Sequence, residues 1–433
     1  MIAVRWRKEP PVRKVVRNED VRQEASGGGL AETLREGLRA LVVTAGLHAM
    51  QDLLEQERTA VCGPRYAHQP EREAMRAGHT RGELVLGGRR VAVKRPRART
   101  KDGREVVLPS WECAAREDPL HERAFEQMVV GVATRRYHRS LESVPEGVEV
   151  RGTSKSAVSR RFVSATRAKL TSWLARGLGD IDLAALMIDG VHFAEHVVLV
   201  ALGIDASGSK HVLGLWEGAT ENATACTALL GNLRERGIRT DRSVLVTIDG
   251  SKALAKAVRD VFGARALIQR CQVHKKRNVL DQLPEKLQPQ VKAAMTEAYR
   301  SGDADRARRW LTTLAKKLEA AHPGAAASLR EGLDETLTVM QLELPRALER
   351  TLSTTNAIEN LMSRARTVTR NVKRWRGGEM VLRWMAAAAS EAEKGFRRLK
   401  GHAGVPKLVA MLRERDACIE AGEKEIDAKE VAA

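Results

Sequence analysis

The sequence predicts an α/β protein whose core is a mixed sheet, interrupted by an all-helical stretch and preceded by helical and small β modules. Two observations carry this. Short apolar runs at 183–188, 197–204 and 211–216 follow one another as a meander, and runs at 244–248 and 266–268 come next with helical spacing between them. A meander pairs antiparallel and strands joined through helices pair parallel, so one mixed sheet carries helices on its faces. The second observation is the stretch 283–352, helical with almost no strand pattern and punctuated by Pro284, Pro289, Pro323 and Pro345.

The remaining elements follow in order. Residues 1–29 end in Ser26-Gly27-Gly28-Gly29 and read as a flexible N-terminal tail. In 30–115, an N-terminal helix over 30–54 rests on the spacing of Leu34, Leu38, Leu41, Val42, Leu47 and Leu53, weakened by Gly37 and Gly46. A small β module follows it. Leu84, Val85 and Leu86 run into Gly87-Gly88, Val91 and Val93 alternate with basic residues, and Asp102-Gly103 makes a second hairpin turn. Residues 116–180 read as a helix-turn-helix-like module. Thr153 or Ser154 caps a helix with the stripe Val158, Phe162, Ala165, Leu170 and Trp173, and a helix at 125–132 supports it. The core then occupies 181–282, with helices over 220–236 and 253–262 and a hairpin loop at 205–210. The helical stretch fills 283–352, and 353–415 completes the core with C-terminal helices, of which 356–399 reads as one or two long basic helices. Residues 416–433 form a charged C-terminal tail expected to fray.

Composition bounds the function. With 433 residues and 43% hydrophobic side chains the chain buries real cores and makes two to four domains, which excludes wholesale disorder. Lys and Arg number 74 against 55 Asp and Glu, a formal charge of +19 that calls for a polyanionic partner, nucleic acid first. Part of it is local: 13 basic against 5 acidic residues lie in 346–400, and 8 basic residues with only Asp102 opposing them lie in 89–104. The second cluster suits contact with a DNA backbone, although a solvated sheet edge carries such charge too. The first turns of the helix after Ser154 present Lys155, Ser156, Ser159, Arg160 and Arg161, the polar set a recognition helix needs in the major groove. The 5 cysteines are dispersed and odd in number, against a disulfide framework and for a reducing compartment. No apolar segment has the make-up of a signal peptide or the length of a bilayer span, so a soluble, cytoplasmic protein is expected.

The chemistry rests on carboxylates. Asp189 and Asp249 each close an apolar run and each precede Gly, so strand ends of one sheet can bring them together. Two carboxylates in a low-dielectric cleft repel unless a cation neutralises them, and hard oxygen donors suit Mg²⁺ or Mn²⁺. Alone, either Asp-Gly reads as a turn; their shared context gives the pair weight. The best third carboxylate is Glu359, near the start of a helix capped by Ser353, Thr354 or Thr355 and followed by Arg364, Arg366, Arg370, Lys373, Arg374 and Arg376. An intrahelical ion pair is the plainer reading of Glu359. Cys271 and His274 have no second pair nearby to complete a zinc site, and Cys62, His68, His79 and Cys113 are irregularly spaced. Tyr66, Tyr137 and Tyr299 are the only tyrosines, and nothing marks one as a recombinase nucleophile. Trp310 reads as a core residue with Leu311 and Leu314 in preference to a platform for a flipped base.

Taken in order, Met187-Ile188-Asp189-Gly190, Val246-Thr247-Ile248-Asp249-Gly250, Arg270-Cys271-Gln272-Val273-His274 and Thr354-Thr355-Asn356-Ala357-Ile358-Glu359-Asn360 resemble the Mutator-type family of bacterial insertion-sequence transposases, over roughly residues 60 to 400. The resemblance implies a DDE enzyme with an RNase H-like core. Asp189, Asp249 and Glu359 would be its catalytic triad and hold two Mg²⁺ ions, for which Mn²⁺ can substitute. His274 would contact the scissile phosphate or orient a carboxylate. The 110 positions separating Asp249 from Glu359 would house the family's helical insertion. The implied reaction is 3′-end cleavage and strand transfer by in-line displacement, with no covalent intermediate and no small-molecule cofactor. Implied partners are the element's terminal inverted repeats, target DNA and further copies of the chain, as a homodimer or larger synaptic complex at the nucleoid. Arg364, Arg366, Arg370 and Arg374 would follow the phosphate backbone. A catalytically silent DNA-binding regulator and a structure-specific nuclease on the same fold are the alternatives.

Overall fold

The computed structural model describes residues 29–67, 72–86, 89–116, 125–127, 129, 132, 149–151, 155–193, 195–218, 223–370, 372 and 374–431. They fall into two compact units. One holds the described residues up to Ser159 except Val129, and the other holds Val129 and the residues from Arg160 onward.

In the first unit, α1 (Gly29–Cys62) runs past the expected end at 54 and stops at Gly63, whose φ of 76° lets its N–H reach the Thr59 carbonyl at 2.8 Å. Strands β1 (Ala74–Leu86) and β2 (Arg89–Thr100) pair antiparallel from Leu86↔Arg89 to Ala74↔Thr100, and β3 (Glu105–Val106) and β4 (Val150–Arg151) both pair with β2. The Asp102-Gly103 turn forms with Gly103 at φ 81°. The first half of β1 was hidden in the sequence by its charge. Arg58, 2% exposed on α1, donates to the Gly78 carbonyl at 3.0 Å and pairs with Glu55, which also binds Arg76 of β1. Leu47 and Leu54 of α1 pack with Leu84, Val91, Val93 and Leu108, and with Trp111 of α2 (Pro109–Arg116).

Helix α3 (Lys155–Ala175) forms as its spacing predicts, and its stripe from Val158 to Trp173 is buried. Of the supporting helix expected at 125–132, only 125–127, 129 and 132 are described, and the caps Thr153 and Ser154 lie outside the described residues.

The second unit carries the expected mixed sheet: β5 (Leu183–Phe193), β6 (His196–Asp205), β7 (Lys210–Gly218), β8 (Val244–Ile248) and β9 (Ala266–Arg270), in the order β7-β6-β5-β8-β9. The first three strands are antiparallel, and β5, β8 and β9 are parallel. Period-two alternation sends Leu186, Ile188, Val246 and Ile248 to one face, under α4 (Ala223–Glu235) and α5 (Lys252–Phe262). Helices α6 (Gln272–Leu280), α7 (Gln288–Arg300), α8 (Ala304–Glu319), α9 (Pro323–Arg330) and α10 (Thr338–Gln341) share a separate apolar core. That helical layer covers the edge strand β9: the Gln269 amide donates to the Thr336 carbonyl at 2.9 Å and accepts the Val339 N–H at 2.8 Å.

Ala185, Met187 and Leu245 point to the opposite face. Helices α11 (Arg346–Leu352), α12 (Asn356–Thr369), α13 (Gly378–Lys394) and α14 (Val405–Val431) cover it together with α3. Two expectations change here. Trp310 is 43% exposed, because Leu311, one residue on, takes the inward face of α8. The stretch after 415 is helical to Val431, held early on by Asp416, which accepts the Ser243 N–H at 2.8 Å and pairs with Arg265 at 3.1 Å.

Leu229 of α4 is fully buried against the sheet. Leu229→Ala should lower stability by about 2–5 kcal/mol in urea unfolding; a loss below about 1 kcal/mol would show that this helix does not seal the core.

Candidate active site

The parallel ladder between β5 and β8 runs from Ala185↔Leu245 to Ile188↔Ile248. The next residue on each strand is an aspartate, so Asp189 and Asp249 stand side by side where the ladder stops. Asp189 does not end its strand, as the sequence pattern suggested. β6 continues to pair with β5 as far as Phe193↔His196, and Val191 and Phe193 stay buried on the same alternation. Asp189 shares the parity of Met187 on β5 and belongs to the sheet face that α12 covers. Asp249 follows the last residue of β8, and both carboxylates lie close enough to His274 to act on its charge.

Asp189 is 7% exposed, and its Oδ1 accepts the Gly190 N–H at 3.0 Å. Asp249 is half-buried; its Oδ1 accepts the Ser251 N–H at 2.9 Å, and the Ser251 hydroxyl caps α5 by accepting from Leu254 N–H at 3.3 Å. His274 lies in the first turn of α6. The Cys271 thiol, opposed by burial and assisted by the charges of Asp189 and Asp249, pushes this imidazole up to about 9. Its Nδ1 is buried with no hydrogen-bond partner. Burial acts against the Cys271 thiolate, but His274 and the Thr355 N–H outweigh it and hold the thiol below its ordinary value.

Glu359 sits in the first turn of α12 and is exposed, while its neighbours Ile358, Leu361 and Met362 enter the core. Among the described residues, no group of three or more His, Cys, Asp or Glu is placed to hold a metal ion. The structure thus juxtaposes the two aspartates and does not draw Glu359 into a three-donor cluster with them. Thr355 occupies the N-cap of α12, but no side chain caps the helix as expected; the Thr355 hydroxyl turns to Cys271 instead. Arg364, Arg366 and Arg370 are exposed along α12, and Arg374 is exposed beyond it. Ser156, Ser159 and Arg160 are exposed on α3, while the side chain of Lys155 lies outside the described set. Among the other cysteine and histidine candidates, Cys62 packs with Ala74 and Ala98, Cys113 is exposed, His79 Nε2 is 3.4 Å from Arg58, and His68 is outside the described residues. Tyr299 is buried with its hydroxyl 3.4 Å from Thr336.

Fold and site together define a mixed α/β protein with an acidic pair at the end of a parallel ladder and basic side chains along the covering helix. The sequence pattern of the Mutator family of transposases fits residues 22–398, and the chain belongs to that family. It is 30% identical over 272 residues to the transposase for insertion sequence element IS6120 of Mycolicibacterium smegmatis, covering 60% of this chain and 80% of that one. The transposase for ISRM5 of Rhizobium meliloti (strain 1021) is 28% identical over 371 residues, covering 83% and 89%. That for IS256 in transposon Tn4001 of Staphylococcus aureus is 26% identical over 329 residues, covering 72% and 80%. No described helix is long and apolar enough to cross a membrane.

Sequence reasoning missed Lys275, one residue after His274. It is buried, and its Nζ donates to the Ser328 and Glu331 carbonyls, both at 2.6 Å, pinning α6 to the end of α9. The only sequence signal was a lysine on a helix that has to pack. Burial, assisted by Arg270, pushes its ammonium down to about 8. The unfolded chain therefore binds this proton up to about pH 10.4 while the folded chain releases it earlier, so stability rises with pH between those values. Thermal unfolding from pH 7.5 to 10 should show that rise in the native protein relative to Lys275→Met; parallel curves for the two would contradict it.

Proposed function

We propose that the chain is a DDE transposase that cleaves the 3′ ends of its insertion sequence and joins them to target DNA, on an RNase H-like core interrupted by the helical layer. The observation that carries the reading is the register setting Asp189 beside Asp249. The five-stranded mixed sheet with helices on both faces is compatible with such a core.

The donor set fits a hard divalent cation. Mg²⁺ binds through one or two carboxylates together with water and substrate phosphate, which matches a two-aspartate site. His274 Nδ1, and Thr354 Oγ1 on the approach to α12, are buried polar atoms without partners, as expected where a ligand is still to arrive. Asp189 and Asp249 would hold the ions, with Glu359 as third donor. Bound there, two Mg²⁺ (or Mn²⁺) ions supply Lewis-acid charge at the scissile phosphate. The protein's own groups bind and orient. His274 keeps a positive charge beside both aspartates, where a phosphate oxygen would otherwise meet only repulsion. Arg364, Arg366, Arg370 and Arg374 track the phosphate backbone, so affinity falls steeply with salt. Lys155, Ser156, Ser159 and Arg160 read the terminal inverted repeats from the major groove. Two ends handled together call for a homodimer or larger synaptic complex, acting in the bacterial cytoplasm at the nucleoid.

Strand-transfer assays with Mg²⁺ and end-containing DNA test the proposal. Asp249→Ala should abolish cleavage and joining while end binding survives; full activity in Asp189→Ala or Asp249→Ala would remove the site. Cleavage without joining would instead identify a structure-specific nuclease, and binding without either reaction in the native protein a silent regulator. Arg160→Ala should weaken binding to the specific ends more than to random DNA, by roughly 1–3 kcal/mol in a binding titration; equal loss on both would make Arg160 a phosphate contact.

A further inference from the structure

Residues 352–355 lead from α11 into α12 and are buried throughout, although three of the four are Ser or Thr. Polar groups withdrawn from water need partners; the Ser353 N–H and hydroxyl donate back to the Glu349 carbonyl of α11 at 3.0 and 2.7 Å, and further bonds come from the two segments that border the aspartates. The Thr247 hydroxyl donates to the Leu352 carbonyl at 2.8 Å, and the Gln272 N–H donates to the Ser353 carbonyl at 3.0 Å. The Thr355 N–H and hydroxyl both point at Cys271 Sγ, at 3.5 and 3.6 Å. Cys271 is itself anchored to β8, its N–H donating to the Ile248 carbonyl at 2.7 Å.

This convergence is unusual for a helix start. Thr at an N-cap ordinarily turns its hydroxyl onto the helix's own N–H groups. Thr355 leaves that bond unmade and commits its hydroxyl to a sulfur, a weaker acceptor. The local cap is given up in favour of a tie between elements. The tie is also short in chain terms: Ile248 precedes Asp249, and Glu359 follows Thr355 by one turn, its N–H bonded to the Thr355 carbonyl at 3.2 Å. A continuous run of hydrogen bonds thus joins the strand end bearing one acid to the helix turn bearing another.

We propose that Cys271 and Thr355 are positioning residues, the thiol accepting both Thr355 donors so as to hold the first turn of α12, and with it Glu359, in fixed register against the strand end that carries Asp249. The thiol acts as neither nucleophile nor metal ligand. The inference rests on the role proposed above for Glu359.

The test uses the full chain with Thr355→Val, Thr355→Ser, Cys271→Ala, Cys271→Ser and the double variant Cys271→Ala/Thr355→Val. Two readouts are taken: amide hydrogen exchange over 356–362 without DNA, and single-turnover cleavage of end-containing DNA in Mg²⁺. Thr355→Val and Cys271→Ala should speed exchange in that segment roughly 5- to 10-fold, as loss of a buried tie does, with exchange in β5 and β6 unchanged. Cleavage should fall roughly 10- to 100-fold with end affinity retained, the cost usual for losing a group that orients a metal ligand. Thr355→Ser, which keeps the hydroxyl, should restore both readouts, and the double variant should be no worse than either single one. Unchanged exchange and cleavage in Thr355→Val would overturn the proposal, as would exchange speeded equally through the sheet. Should Thr355→Val and Cys271→Ala fail to fold, Cys271→Ser and Thr355→Ser decide it: faster exchange confined to 356–362 in Cys271→Ser alone supports the tie, and native exchange in both overturns it. Glu359→Ala separates the two claims, since full cleavage by that variant would remove the role of Glu359 while the exchange data still report on the tie.

Discussion

A parallel β-ladder stops where one of its strands turns away, and the rest of the site depends on this one stopping at Ile188 and Ile248. After Ile248 the chain leaves the sheet into the Ser251-capped α5, while β5 stays paired with β6 for another turn of the pleat. The residue after the last pair is an aspartate in both segments. Side-by-side aspartates are therefore a consequence of backbone pairing rather than of any attraction between them. Like charges so placed repel, and the fold accepts that cost only with a compensating positive charge within reach. His274, whose imidazole is pushed up to about 9 by the Cys271 thiol and by both aspartates, supplies part of it.

The charge distribution extends this logic outward. The covering helix α12 buries Ile358, Leu361, Met362 and Ala365 against the sheet and leaves Arg364, Arg366 and Arg370 exposed. Positive charge thus lies on the accessible side of this helix, the side that also carries Glu359. Deeper in, charged side chains join elements: Arg270 at the end of β9 pairs with Glu335 at 2.5 Å, and the Lys275 ammonium donates to backbone carbonyls at the end of α9. The helical layer is thereby fixed to the sheet edge next to the Cys271–His274 segment. A polyanion approaching this face meets exposed arginines before it meets the buried Asp189.

Much of this was legible in the sequence, for identifiable reasons. Strong period-two and apolar runs located all five strands of the sheet, and the two Asp-Gly pairs marked the break in its ladder. The Ser/Thr-rich stretch before it marked Glu359 as near a helix start, where it lies, but no local signal says that its side chain is exposed and outside any three-donor group. What was not legible depended on partners distant in the chain. The extension of β5 to Phe193 is decided by β6, and the first half of β1 by Arg58 and Glu55 on a helix some 20 positions earlier. Thr355 looked like a cap because local chemistry favours one, and tertiary geometry redirected its hydroxyl to Cys271. Trp310 looked like core because it neighbours Leu311 and precedes Leu314, yet the helical period turns it outward. Lys275 carried no mark of burial beyond its place on a helix that has to pack.

The central claim is that Asp189, Asp249 and Glu359 serve one metal-dependent site. Replacing Mg²⁺ with Fe²⁺ in the complex with end-containing DNA, and mapping where the radicals generated at the bound iron cut the polypeptide, tests it most directly. Cuts should cluster around residues 189, 249 and 359, be suppressed by excess Mg²⁺ and be lost in Asp249→Ala. Cuts that leave the segment around Glu359 untouched, or that persist in Asp249→Ala, would contradict it.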